Sequence, residues 1–245
     1  MITLRRDTER RHVQGRENDI WHTFCPENHE DPLSDGIGAL VVFNEIRLPP
    51  GGSTARQRHD DAEIITYVHK GGLAQEDSTG RSGVIHAGEF QRMSIGGGIR
   101  LKETNASQTD WTHIFRTSLL PSAAGLDCAH EQKHFTAAQR HNVLCVVASP
   151  DGRKGSLCIH QEALIYSSIL DPGRHLVHEL LPERSAWLHV VYGVAKLDGA
   201  VLFQGDGVGV TLESSVSLTG QENTEILLVD LAGQTSRPFG RGVVP

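Results

Sequence analysis

Ile64-Ile65-Thr66-Tyr67-Val68, set between Pro50-Gly51 and Gly71, has a counterpart later in the chain: Trp187-Leu188-His189-Val190-Val191, set between Pro172-Gly173 and Gly193. The same 20 residues part Gly51 from Gly71 and Gly173 from Gly193, and each copy then reaches a glycine followed by an acid, Gly88-Glu89 and Gly205-Asp206. A run of large or β-branched apolar residues bounded by Gly and Pro reads as a strand. The glycines supply positive φ at turns between antiparallel strands. Further runs of this kind are Ala39 to Phe43, Val143 to Val147 and Ile226 to Val229. Short strands between turn signals predict an all-β sandwich or barrel. The repeated pattern predicts that one small β-barrel is present twice. The joint is expected between Thr117 and Asn142, where the strand pattern lapses, with a short connecting helix at most over Glu131 to Arg140.

The chain has 245 residues, enough for two small domains that each bury a core. No apolar run is long enough to span a membrane. The first residues, Met1-Ile2-Thr3-Leu4-Arg5-Arg6-Asp7, lead into charge rather than an apolar signal core, so a cytoplasmic location is expected. The net charge of -7 and the lack of a Lys/Arg stripe argue against direct nucleic-acid binding or an anionic membrane surface. Cys25, Cys128, Cys145 and Cys158 form no Cys-x-x-Cys pair. Cys145 and Cys158 lie in apolar runs and are expected to be buried, inert thiols. Cys25 and Cys128 lie in loop-like surroundings and are the candidates for reactivity.

Several segments resemble the pirin-like proteins. They are Trp21-His22-Thr23-Phe24, Asp31-Pro32 and Val42-Phe43-Asn44-Glu45. Then come Glu63 to Val68 with Gly71, Asp77-Ser78 and Gly80, and Ala87-Gly88-Glu89-Phe90-Gln91-Arg92-Met93-Ser94 with Gly96 and Gly98-Ile99. Ala148-Ser149-Pro150-Asp151-Gly152 with Gly155-Ser156 is similar to the bacterial branch. The resemblance covers nearly the whole chain. It implies a bicupin, two antiparallel double-stranded β-helix (jelly-roll) barrels with few short helices, one over residues 1–125 and one over 126–245. It also implies kinship with quercetin dioxygenases that use a divalent metal, commonly iron, in the N-terminal barrel, and a C-terminal barrel without a metal.

A cupin metal site needs imidazoles and a carboxylate pointing inward, and residues i and i+2 of a strand share a face. The resemblance places the ligand pairs at Gln57 and His59, before Glu63, and at Leu101 and Glu103, before Asn105. A further histidine position falls on Gln75. Leucine offers no donor and a glutamine carbonyl is a weak, neutral one, so His59 and Glu103 fall short of two histidines and a carboxylate. Three readings of His59 stay open. It hydrogen-bonds Glu103 or Glu63. It joins Glu103 and Gln57 or water around Fe, Ni, Mn or Zn. Or it forms a metal-free acid/base pair with Glu103. In the second half the repeat places Glu179, Leu181 and Ser185 at these positions, no ligand set, and His175, His178 and His189 are expected in satisfied structural roles.

The expected function is therefore a pirin-like protein, metal-free or weakly metal-binding, that binds a small molecule or a protein partner; the sequence leaves its oligomeric state open, with a monomer favoured. The competing readings are a metal-dependent quercetin 2,3-dioxygenase-like enzyme and a thiol redox sensor using Cys25 or Cys128.

Overall fold

The computed structural model describes residues 1–123 and 125–233. The first half contributes β1 (Ile2–Arg5), β2 (Arg11–Gln14), β3 (Asp19–His22), β4 (Leu40–Leu48), β5 (Gln57–His59), β6 (Ala62–Lys70), β7 (Gly72–Asp77), β8 (Ser82–His86), β9 (Glu89–Ile95), β10 (Ile99–Asn105), β11 (Thr112–Leu119) and β12 (Ala129–His134). The second half contributes β13 (Cys145–Ser149), β14 (Leu157–Cys158), β15 (Ala163–Leu170), β16 (His175–Glu179), β17 (Ser185–Tyr192), β18 (Val194–Leu197), β19 (Ala200–Phe203), β20 (Gly207–Val210), β21 (Ser215–Gly220) and β22 (Thr224–Leu231). The first barrel pairs the sheet β12-β9-β6-β11-β4-β3-β2 with the sheet β5-β10-β7-β8. The second pairs β1-β20-β17-β22-β15-β13-β14 with β16-β21-β18-β19. The expected all-β bicupin is the fold. No helix among the described residues is long and apolar enough to cross a membrane.

The duplication is visible in the hydrogen bonds. Gly51, Gly71, Gly173 and Gly193 all have positive φ, between 66° and 83°. A Cβ on Gly71 would strike the backbone of Trp111 and Thr112, and one on Gly193 that of Asn223 and Thr224, the same approach in both copies. Asn105 donates its N–H to Gly52 and pairs with Leu73, as Gly220 donates to Arg174 and pairs with Ala195.

Two segments depart from the expected layout. Glu131 to His134 are not helical: they belong to β12, which pairs with β9 at the edge of the first barrel. Only Ala137–Arg140 forms a helix (α1), begun by Thr136, whose hydroxyl accepts the Gln139 N–H while the Gln139 side chain accepts the Thr136 N–H. Strands also cross the boundary drawn at 125/126. β12 lies beyond it yet joins the first barrel, and β1 pairs with β20 in the second.

Burial follows the two-residue period of the strands. On β11, Ile114 faces the inside of the first barrel and Phe115 and Leu119 face the second. The large sheets meet through a shared apolar layer that includes Phe43, Tyr67, Phe115, Trp187, Leu227 and Val229. A fully buried side chain of this kind contributes about 1.5–3 kcal/mol, so this layer holds the barrels together. The second barrel has one continuous apolar interior around Leu188, Leu197, Leu218 and Leu228. The interior of the first is split. One cluster holds Ile46, Leu48, Val68, Leu73, Ile85 and Ile114; the other holds Ile64, Met93, Ile95, Ile99 and Leu101.

Candidate functional site

Between those two clusters polar side chains are buried, among them Glu103, one of the ligand positions of the resemblance. β5 pairs with β10 so that Gln57 lies opposite Leu101 and His59 opposite Ile99. Opposed residues share a face, so Gln57, His59, Leu101 and Glu103 lie on one face of the pair. Gln57 sits exposed at the rim and His59 is half-buried. Leu101 is 3% exposed within the second cluster, and Glu103 is 1% exposed.

Glu103 does not meet His59 by a hydrogen bond. Its carboxylate is held by Arg116 of β11, whose Nη2 contacts both carboxylate oxygens. Gln75 Nε2 donates to Oε1 at 2.9 Å and Thr54 Oγ1 to Oε2 at 3.4 Å. Arg116 is 4% exposed. Burial works against the charge of Glu103, and the Arg116 guanidinium outweighs it, holding the carboxyl below its ordinary range. His59 is shifted down by burial and then by the charge of Arg116, against the pull of Glu103, and is therefore neutral near pH 7. Glu63, the other expected partner of His59, is engaged elsewhere. It accepts from Ser94 Oγ at 2.8 Å and from the backbone N–H of His160 at 3.1 Å, a bond from the first barrel to the loop before β15. The hydrogen bond of His59 to Glu103 or Glu63, the first of the three readings, is not made, and other donors occupy both carboxylates. Among the described residues no group of three or more His, Cys, Asp or Glu is placed to hold a metal ion.

Sequence reasoning missed Arg116. Its one signal is an arginine at an inward position of the otherwise neutral strand Thr112 to Leu119. Next to the polar layer a cavity of about 180 Å³ opens between the β7–β8 hairpin and β9–β12. Gln75, Gln91, Met93 and Leu101 line its interior, and Arg81 and His130 are also part of its wall.

The other candidates separate clearly. His178 bonds Asp230 at 2.8 Å and His175 bonds Thr219 at 3.0 Å, the structural roles expected of them. His189 differs: it is 0% exposed and neither ring nitrogen has a partner. It packs 4.6 Å from the Phe43 ring, between the barrels, and burial followed by the nearby Arg10 pushes its pKa down to about 3. The same interface carries Glu225 of β22, which accepts from Tyr67 and Arg140 and pairs with His69 at 3.2 Å. The thiols also depart from expectation. Cys158 is exposed and Cys145 only partly buried, because β14 is a two-residue edge strand and Cys145 opens β13. Cys128 is exposed and Cys25 half-buried.

Comparison with known proteins agrees with this architecture. Residues 5–118 match the Pirin family model, and residues 146–231 match the model described as the quercetinase C-terminal cupin domain. The chain is 37% identical over 231 residues to a quercetin 2,3-dioxygenase of Escherichia coli K12, covering 94% of this chain and 99% of that protein. It is 32% identical over 212 residues to a pirin-like protein of Caulobacter vibrioides, covering 86% and 91%. The crystal structure of the bacterial pirin YhhW from Escherichia coli in complex with nickel(II) superposes with a TM-score of 0.88 at 35% identity, over 96% of this chain and all of that one. The chain belongs to the pirin family.

Proposed function

We propose that this protein uses the first barrel as a small-molecule binding site without a resident divalent metal. The observation that carries the reading is Arg116, buried and forked onto Glu103 in the polar layer. A divalent cation there needs the carboxylate's lone pairs and at least two imidazoles. The lone pairs face a guanidinium, Leu101 offers no donor, and Gln57 offers a neutral amide at the rim. A metal beside Arg116 would also have to share the Glu103 carboxylate with that guanidinium, a like charge in a low-dielectric interior. The residues present do not fit a two-histidine, one-carboxylate centre; an internal cation neutralises Glu103 instead. Metal analysis of untagged protein tests this. The expected result is iron, nickel, manganese and zinc well below one equivalent, with thermal stability unchanged by a chelator. One equivalent of any of them, lost in His59→Ala, overturns it.

The names of the relatives support a second reading, in which the protein is a quercetin 2,3-dioxygenase-like enzyme. His59 and Glu103 retain two of the four ligand positions in its favour. Anaerobic loading with Fe(II), then quercetin and oxygen, separates the two. Oxygen uptake abolished by His59→Ala selects the enzyme. No uptake, or uptake indifferent to that change, selects the metal-free binding protein.

A further inference from the structure

The cavity beside the polar layer has a composition of its own. Leu101 and Met93 are both nearly inaccessible and give it an apolar floor. A thioether next to a ring is a favourable contact. The carboxylates of the wall are already paired. Asp77 accepts from the backbone N–H groups of Thr79 and Arg81 and the Thr79 hydroxyl, and lies 3.5 Å from His130. Glu131 pairs with Lys133 at 2.6 Å and accepts the Cys158 N–H. The exception is Arg81, in the turn between β7 and β8. Its guanidinium makes no ion pair or hydrogen bond among the described residues, and Arg81 is part of the cavity wall. The volume, about 180 Å³, lies below the roughly 300–1,000 Å³ typical of drug-sized ligands. A three-ring flavonol exceeds it and a single ring fits.

We infer that this cavity takes a small monocarboxylate with a single aromatic ring, its carboxylate on Arg81 and its ring over Met93 and Leu101. A guanidinium fork matches a carboxylate in shape as well as charge, and Gln75 and Gln91, also in the cavity wall, carry amide oxygens that can accept from a ring hydroxyl. The inference rests on the metal-free reading above and adds the ligand class.

Calorimetric titration of the full chain in a chelator, with 4-hydroxybenzoate, its neutral amide 4-hydroxybenzamide and quercetin, tests it. Saturable binding of the acid is expected, at least tenfold weaker in Arg81→Ala and partly restored in Arg81→Lys. The amide should bind more weakly than the acid and be indifferent to both changes. Arg81 is exposed and its head unpaired, so these variants keep the fold. No binding of the acid, or equal binding in Arg81→Ala, overturns the ligand class. Tighter binding of quercetin in the chelator also overturns it while leaving the metal-free reading intact. Binding that appears only after Ni(II) or Fe(II) is added overturns both.

Discussion

In the first barrel the cross-strand pairs Glu103–Gln75 and Arg116–Thr66 face one another across the interior; at the equivalent places in the second, the pairs are Leu218–Leu197 and Leu228–Leu188. One backbone plan thus carries two opposite interiors. The leucine layer joins the residues above and below it into a single core, whereas the polar layer divides the first barrel's core in two. Desolvating an ion pair costs several kcal/mol per ion, and apolar residues of similar volume often replace such a pair with neutral or favourable effect. Stability alone is therefore a weak reason to keep Glu103 and Arg116, and their position beside the cavity is the better one.

The largest test converts the first barrel to a metal centre. Gln57→His and Leu101→His with Arg116→Gln present three imidazoles and a freed carboxylate on one inward face. Nickel affinity, measured by titration, should rise about 10⁴-fold or more, roughly 5.5 kcal/mol. If nickel affinity does not rise, these four positions do not converge and the face assignment is wrong.

Next is the layer itself. Arg116→Leu leaves Glu103 buried and unpaired and should lower unfolding stability by about 3–5 kcal/mol. Arg116→Leu combined with Glu103→Leu, which imitates the second barrel, should recover most of that loss in denaturant titrations. Equal losses in the single and double variants would show that the pair's geometry, not its charge, matters.

The turn glycines should behave alike in both barrels. Gly71→Ala and Gly193→Ala each force a Cβ against backbone at positive φ, and each should cost about 1–3 kcal/mol by thermal unfolding. A neutral result at either position would break the equivalence of the two copies.

The smallest effect separates the barrels by pH. His189 has a folded pKa of about 3 against an ordinary value of 6.5, so below 6.5 the unfolded chain binds a proton that the folded chain does not. Stability present above 6.5 is then lost as pH falls, by about 1.4 kcal/mol per pH unit. Glu103, with its folded pKa lowered, adds a loss that begins only as pH falls through the carboxylate range near its ordinary 4.5. Between pH 6 and 5, His189→Leu should therefore have the shallower dependence, while Glu103→Gln with Arg116→Gln should leave the slope there unchanged.

Strands such as β6, β17 and β22 were legible because each is a compact apolar run between turn residues, a local property. β12 (Ala129-His130-Glu131-Gln132-Lys133-His134) was not. Its side chains carry no apolar alternation, and it is a strand because β9 offers an edge to pair with. β1 was hidden for a related reason, its partner β20 lying some 200 residues away in sequence. Within the site, the resemblance picked out Gln57, His59, Leu101 and Glu103, and the two-residue period put Gln57 with His59 and Leu101 with Glu103; the β5–β10 register joins the two pairs on one face. Arg116 could not be joined to Glu103, because they sit on strands of different sheets.

The sequence alone therefore determined two barrels, their turns, and which side chains stand where a metal would need ligands. The barrels and their turns follow from local backbone preference and a two-residue period, and the ligand positions from the family resemblance. Only the tertiary structure decided that Glu103 pairs with Arg116, that His189 sits without a partner, and where the cavity opens. Each of these depends on side chains brought together from distant strands, at distances that no local pattern records.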